Sequence, residues 1–382
     1  IWLIVMEAIP ELITTQSVPD EHMVSQQQSS RRFVAYLVVL TLILVFSTSY
    51  MIDVFKDNNP FAPRPTDGAL SAQEIYQELV QTDDTKLDGT GIKVCIVDSG
   101  IDMTHKDLSS LELTGWQDFV NNQDQPYDDQ GHGTSMAGLL VADGWMQGVA
   151  ADVDLYVAKA LSGNGSGDDG VVADAIDWCV QQGVNIVSLS LGGAPGLIPF
   201  NPFGGRDSSD AASDAIDQGI VVVAAAGNDG GPDDDGDVAH PSSERLVISV
   251  GGVTADGSHW SGSSVGDNNG NLFPIILPRQ DPNKKPEIVA PAEGVPVINN
   301  DGTWSIVDGT SAATVYVTGA IALLLEAQPS LVANGSAGSS DNVQQIKQAL
   351  METAKPLPGQ DGHDDNYGYG LIQVENLIQY FE

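Results

Sequence analysis

Short apolar runs alternate along this chain with segments that have the spacing of helices. Five runs predict strands, over 92–97, 155–158, 186–190, 220–225 and 246–250. Helices are predicted between and after them, over 133–142, 170–182, 207–218, 311–325 and 341–353. Strands that are apolar on both faces need cover on both sides, and strands that alternate with helices run parallel. We therefore predict an α/β fold of three layers, α/β/α, with a mainly parallel central sheet.

Three polar side chains stand beside glycines where strands and helices meet. Asp98 ends the first predicted strand, and His132 lies between Gly131 and Gly133 at the start of a helix. Ser311 lies at a strand-to-helix turn. A carboxylate at the carboxyl end of a parallel strand faces the crevice in which such sheets bind ligands. A hydroxyl, an imidazole and a carboxylate are the groups that nucleophilic acyl transfer requires, so the sequence predicts a catalytic triad.

Two members of this triad also have a plainer interpretation. Asp98 is one of many aspartates that could cap a helix or a turn, and Ser311 could be an ordinary N-cap. A cap does not need small neighbours, however, and Gly309, Ala312 and Ala313 surround Ser311. This crowding by small residues favours the nucleophile.

His105 is the rival of His132 among the six histidines. It follows Asp98 closely, but it lies in a polar turn without a glycine. The glycines on both sides of His132 allow another backbone to come close. We therefore interpret His132 as the general base.

Asn228 follows an apolar strand in the segment 224–229. Its side-chain amide could donate a hydrogen bond to an oxyanion, together with the backbone N–H of Ser311, which is an unpaired donor at a helix start. An Asn before Asp and Gly is also an ordinary turn, so the residue by itself leaves both interpretations open.

Taken together, these segments resemble the subtilisin-like serine peptidases (subtilases, family S8). The order Asp, His, Ser is typical of that family, and the resemblance extends over most of 75–378. The linking segments that match are 148–151, 155–161, 188–193, 240–242, 247–251, 285–291 and 368–371. The resemblance implies the subtilisin-like fold and a serine endopeptidase that forms an acyl-enzyme through Asp98, His132 and Ser311. It also implies that Asn228 completes the oxyanion hole.

The resemblance further implies where a peptide substrate binds. Two segments would flank an extended peptide by strand addition, and they consist of Gly165, Ser166, Gly167 and of Ser190, Leu191, Gly192. The pocket for the side chain before the scissile bond would be lined by Ala225, Ala226 and Gly227. Such an open, apolar pocket implies broad specificity with a preference for large apolar residues, in protein or peptide substrates.

The chain departs from the family pattern near the nucleophile and near the expected metal site. Where the family usually has Met-Ala-x-Pro after the serine, this chain has the residues AATV over 312–315. These changes leave open an alternative, a subtilase fold that binds peptides without cutting them. Asp107 matches one calcium-ligand position, while the loop before Gly148 is short for the family's calcium loop. We expect no required cofactor, with calcium as the candidate metal.

The chain is strongly acidic, with 52 acidic and 15 basic residues and a formal net charge of −37. This charge excludes nucleic acid and acidic membrane surfaces as natural partners. Such a charge is typical of surfaces adapted to high salt, which predicts a halophilic source. Separately, we expect the protein to be a monomer. Cys95 and Cys179 lie in a predicted strand and a predicted helix, and we interpret them as buried free thiols. A disulfide between them would suit an exported protein, but their spacing does not indicate one.

The N-terminal region has the parts of a secretory signal. Arg31 and Arg32 precede an apolar run over 33–46, and small residues follow it at 47–49. The run is short for a membrane span. We interpret 1–32 as a leader, 33–50 as a signal peptide or membrane anchor, 51–68 as a linker and 69–382 as the catalytic domain. The protein is thus expected outside the cell or at its surface, touching the membrane only through this segment.

Overall fold

The computed structural model describes residues 21–57, 63–83, 85–192, 206–233, 236–270, 277–333 and 340–382. The chain divides into two compact units, 1–63 and 64–382. In the first unit a single helix is described, α1 (Glu21–Asp57), which runs through the predicted signal segment. Its part Ser29–Ile52 is long and apolar enough to cross a membrane, and a signal sequence would pass the same test. Residues 1–20 of the predicted leader lie outside the described residues.

A parallel sheet forms the centre of the second unit. Its strands, as far as the chain is described, are β1 (Lys93–Asp98), β2 (Gly115–Asp118), β3 (Asp154–Lys159), β4 (Ile186–Leu189), β5 (Val221–Ala225), β6 (Ile248–Val253) and β7 (Ile288–Pro291). They follow the spatial order β2-β3-β1-β4-β5-β6-β7. An antiparallel hairpin of β8 (Val295–Ile298) and β9 (Trp304–Val307) stands apart from this sheet. Nearly all residues of β1 and β3–β7 are buried, as expected for strands covered on both faces.

Helices cover both faces of the sheet. Those described in the second unit are α2 (Asp67–Val80), α3 (His132–Val141), α4 (Asp169–Gln181), α5 (Ser208–Ile216), α6 (Thr310–Ala327), α7 (Asp341–Thr353) and α8 (Val374–Gln379). Helices α3 and α6 pack against each other and against the sheet, and α4 and α5 form the second layer. Helix α6 is apolar enough to resemble a membrane span, but it is 83% buried as the core helix of this unit. The predicted three-layer α/β/α fold is confirmed.

The elements with strong apolar patterns are those that the sequence predicted. All five predicted strands and all five predicted helices are present, with ends displaced by a few residues. The elements not anticipated are β2, β7, β8, β9, α2 and α8. The strands among them have four residues each; β7 ends at Pro291, and Pro296 lies within β8. Helix α2 begins at Asp67, inside the segment interpreted as a linker, where Thr66 caps its first turn.

The connections of β1 open a crevice at one end of the sheet. Strand β1 pairs with β3 on one side and with β4 on the other. From β1 the chain continues to β2 on one side, whereas from β4 it continues to β5 on the other side. Such a switch in strand order creates a crevice outside the carboxyl ends of the strands. Asp98, the last residue of β1, is fully buried there.

A disulfide joins the sheet to a helix of one layer. It links Cys95 in β1 to Cys179 in α4, with 5.9 Å between the Cα atoms, and both residues are fully buried. The prediction of two free thiols was therefore wrong. The reason is tertiary: the two cysteines are 84 residues apart, and only the packing of α4 against β1 brings their side chains together.

Candidate active site

Asp98 and His132 form the centre of the site. The Nδ1 atom of His132 lies 2.8 Å from Oδ1 and 2.9 Å from Oδ2 of Asp98. The backbone N–H of Ser99 also donates to Oδ1, at 2.6 Å. Because Nδ1 is held by the carboxylate, Nε2 is the ring nitrogen that can exchange a proton with another group.

The start of α3 is capped by side chains from outside the helix. His132 is its first residue, after Gly131 at a left-handed φ of 103°. The first three N–H groups, of His132, Gly133 and Thr134, donate to side chains of Gln130, Ser99 and Asp128 at 2.7, 2.8 and 2.9 Å. Donors that a helix start would leave unpaired are thus satisfied, and the backbone that carries the imidazole is fixed.

The end of β1 and the start of α3 touch through their backbones. A Cβ atom at Gly133 would collide with the carbonyl oxygen of Gly100. Gly100 forms an isolated antiparallel bridge with Asp128, and the N–H of Ile101 donates to the carbonyl of Tyr127 at 3.2 Å. This contact requires glycine at position 133, and it accounts for one of the two glycines beside the histidine.

The environment of His132 favours its protonated form. Burial of the ring opposes protonation, but the Asp98 carboxylate and the charge of Asp128 together outweigh it and raise the pKa of His132 above its ordinary value. An imidazole in this setting is a stronger proton acceptor than one in water, and the imidazolium that it forms has a counter-charge in contact.

Ser311 lies at the start of α6, beside the end of β4. Its hydroxyl donates to the carbonyl of Ser190 at 3.0 Å, and the hydroxyl of Ser190 donates to the carbonyl of Ser311, also at 3.0 Å. Ser311 is 9% exposed, so the group is accessible from one side. Rotation about one side-chain torsion would redirect its O–H away from Ser190. Helix α3, which begins at His132, packs against helix α6, which begins at Thr310.

Asn228 is held by Thr310, the residue before Ser311. Its Oδ1 accepts the N–H of Thr310 at 2.9 Å and lies 2.8 Å from the Thr310 hydroxyl. Nδ2 is consequently the free donor side of the amide. A Cβ atom built on Gly309 would lie 3.5 Å from this Nδ2 and 3.8 Å from the backbone nitrogen of Ser311. Nδ2 of Asn228 and the backbone nitrogen of Ser311 therefore both lie beside Gly309.

The predicted substrate-binding residues border the same site. Residues 165–167 are exposed, and a Cβ atom on Gly165 would lie 3.4 Å from Nε2 of Gln130, two residues before His132. Cβ atoms on Gly192 and Gly227 would lie 2.8 and 3.3 Å from the Cβ of Ala239. Ala239 therefore packs closely against both glycines, and a side chain at position 192 or 227 would press on it. In this region Ser190, Ala225 and Ala226 are buried, and Leu191 is half-buried.

Asp107 lies away from this crevice in a cage of N–H groups. The carboxylate accepts the backbone N–H groups of Trp145 and Met146 at 3.1 and 3.0 Å and the indole N–H of Trp304 at 2.8 Å. Calcium is held by surrounding oxygen atoms, and this donor set does not fit it. Within the described parts of the chain, no group of three or more His, Cys, Asp or Glu side chains is placed to hold a metal ion.

Several residues that organise the site had no signal of their own in the sequence. Thr310 orients Asn228, Ser99 links β1 to α3, and Asp128 caps α3. Two of them stand directly beside a predicted triad residue, and that adjacency is the signal that could have drawn attention to them. His105, the rival base, accepts the N–H of Asp107 in a separate, buried turn.

Comparisons with known proteins show the family of this chain. The model of the Subtilase family, peptidase family S8, matches residues 89–370. Subtilisin DY of Bacillus licheniformis is 33% identical over 294 residues, which are 76% of this chain and 92% of that protein. Subtilisin NAT of Bacillus subtilis subsp. natto is 32% identical over 76% of this chain and 66% of its own length. The crystal structure of a cold adapted subtilisin-like serine proteinase has the same fold, with a TM-score of 0.59 and 24% identity over 76% of this chain and 91% of that one. The chain therefore belongs to the Subtilase family, and it is a hydrolase of the serine endopeptidase class.

Proposed function

We propose that this subtilase cleaves protein and peptide substrates through Asp98, His132 and Ser311, by way of an acyl-enzyme. The hydrogen bonds between Nδ1 of His132 and the buried Asp98 carboxylate are the observation that carries the proposal. They orient the ring and leave Nε2 as the base. The alternative of a fold that binds peptides without cutting them draws no support from this arrangement, because Asp98, His132, Ser311 and Asn228 are all present.

The chemistry follows from these positions. Oγ of Ser311 attacks the carbonyl carbon of the scissile bond while its proton moves to Nε2 of His132. The oxyanion accepts hydrogen bonds from Nδ2 of Asn228 and from the N–H of Ser311. The C–N bond then breaks as His132 donates its proton to the leaving amine. Water repeats the sequence on the acyl ester, which releases the acid and returns the proton to Ser311.

The substrate is proposed to bind as an added strand. Backbone groups of 165–167 and 190–192 would pair with an extended peptide, whereas side-chain pockets would select it. The absence of any side chain larger than a methyl group at Ala225, Ala226 and Gly227 supports an apolar pocket for a large residue before the scissile bond. We therefore propose broad specificity with a preference for Phe or Leu at that position.

Export and salt adaptation complete the proposal. The apolar segment Ser29–Ile52 supports export, either as a cleaved signal or as an anchor. The buried disulfide between Cys95 and Cys179 supports an oxidising compartment. The net charge of −37 supports a surface adapted to concentrated salt. We expect the catalytic unit to act as a monomer.

The test compares wild type with Ser311→Ala and with Ser109→Ala, a control at an exposed serine. Each protein is assayed on casein and on a chromogenic peptide with Phe before the scissile bond, in dilute buffer and in multimolar NaCl. A fluorophosphonate probe reports the nucleophile directly. We expect activity and labelling in wild type and Ser109→Ala, strongest in high salt, and neither in Ser311→Ala. Labelling that persists in Ser311→Ala would refute the assignment of the nucleophile.

A further inference from the structure

We infer that Asp128 is a positioning residue for His132: its carboxylate binds the backbone on both sides of the histidine and places a second negative charge beside the imidazole. The inference rests on the proposed triad. It assigns a role to a residue that does not touch the substrate and that acts through the base.

Five hydrogen bonds converge on this one carboxylate. Oδ1 accepts the hydroxyl of Ser99 at 2.9 Å and the N–H groups of Gln130 and Gly131 at 3.0 and 2.8 Å. Oδ2 accepts the N–H and the hydroxyl of Thr134 at 2.9 and 2.7 Å. So many donors stabilise the ionised form and lower the pKa of Asp128, although its partial burial opposes this.

The groups that donate to Asp128 belong to the first turn of α3, which carries His132, and to Ser99, which follows Asp98. Gly131 and Thr134 precede and follow His132 in the sequence, so the carboxylate holds the first turn of α3 from both ends. Ser99 follows Asp98, and its hydroxyl donates to Asp128 while it accepts the N–H of Gly133. Loss of Asp128 would therefore loosen the imidazole relative to the Asp98 carboxylate as well as relative to its own helix.

The charge of Asp128 acts on the proton that His132 accepts. His132 lies at the N-terminus of α3, where the helix dipole disfavours a positive charge. Asp98 offsets this by contact, and Asp128 contributes a second, indirect attraction that helps to raise the pKa of His132.

Other charged side chains near Asp128 and His132 have partners of their own. The ammonium of Lys159 lies 2.6 Å from Oδ1 of Asp129, so these two charges largely offset each other. The carboxylate of Asp102 accepts the N–H of Thr104 in an exposed turn. Asp98 and Asp128 remain as the carboxylates that favour the imidazolium.

The test uses Asp128→Asn, which keeps the size of the side chain and removes its charge. The control is Asp124→Asn, at an exposed carboxylate of the same loop. The pH dependence of kcat/KM is measured with a chromogenic peptide. For Asp128→Asn we expect the acidic limb to move to lower pH by about half a unit, because a weaker attraction lowers the pKa of His132. We also expect kcat to fall about tenfold with KM unchanged, because the base is less well placed. Asp124→Asn should match wild type.

A second measurement separates this inference from the proposed peptidase activity. The imidazole of His132 is titrated by NMR in the Ser311→Ala background, with and without Asp128→Asn. A lower pKa in the double variant supports the inference even if no substrate is ever cleaved. An unchanged His132 pKa and an unchanged kcat, with only a lower melting temperature, would overturn it and leave Asp128 as a helix cap.

Thr134→Val keeps the charge of Asp128 and removes one of its donors, so it tests positioning if Asp128→Asn does not fold. We expect kcat to fall about threefold with the acidic limb in place, because only the geometry is disturbed. A kcat equal to that of wild type would refute the positioning role.

Discussion

Replacing Cys95 and Cys179 together by alanine should remove about 4.6 kcal/mol of unfolding free energy at 25 °C. The bridge spans 84 residues of sequence between β1 and α4. In the chain-entropy model, a cross-link over that separation restricts the unfolded chain by an amount that corresponds to this free energy. Any effect of the double substitution on Asp98 should be transmitted through strand β1, because Cys95 lies three residues before Asp98 on that strand.

The measurement is urea unfolding followed by tryptophan fluorescence, in the Ser311→Ala background so that the protein cannot digest itself. The chain with both cysteines is compared with the double alanine variant, each with and without a reductant. We expect the reductant to lower the unfolding midpoint of the first protein and to leave that of the second unchanged. Equal midpoints for the two proteins in oxidising buffer would refute the reasoning, as would two reactive thiols after unfolding without reductant.

Three further outcomes are expected. Asn228→Ala should lower kcat by about 10²–10³-fold with little change in KM, because it removes one donor to the oxyanion; steady-state kinetics on a chromogenic peptide would measure this. Burial lowers the pKa of Lys285 from 10.5 to about 7. The unfolded chain therefore binds more protons than the folded one between these pH values, so the melting temperature should rise with pH across this window, and less steeply in Lys285→Met. The N–H cage of Asp107 predicts that Asp107→Ala costs about 2–3 kcal/mol of stability in a denaturation experiment, because three donors lose their acceptor.

The elements that sequence reasoning located are those whose signal is local. A strand such as 221–225 is apolar throughout, and a helix such as 341–353 carries its own periodicity, so neither needs information from the rest of the chain. Glycine beside a polar residue is also a local signal. Position 133 requires glycine because the backbone of Gly100 lies against it. This glycine is also one of the two neighbours that favour His132 over His105 in the sequence.

The features that escaped prediction depend on contacts between distant segments. The pairing of Cys95 with Cys179 follows from how α4 packs on the sheet. The roles of Thr310 and Asp128 consist of hydrogen bonds across the fold, to Asn228 and to the start of α3. Short edge strands such as β2 and β7 are defined by their partners more than by their composition, so their four residues carried too weak a pattern.

The bridge between Gly100 and Asp128 has a consequence for how this protein can vary. It brings the two ends of the segment 101–127 together near Asp98 and His132, and the N–H of Ile101 donates to the carbonyl of Tyr127. A segment whose ends are held in this way can change in length without moving what lies beyond them, and doubling a flexible loop costs only about 0.6 kcal/mol of closure entropy. Residues 121–125, the exposed part of the loop after the edge strand β2, are therefore a natural place for insertions, tags or a grafted binding loop. Variation there should leave the hydrogen bonds between His132 and Asp98 intact.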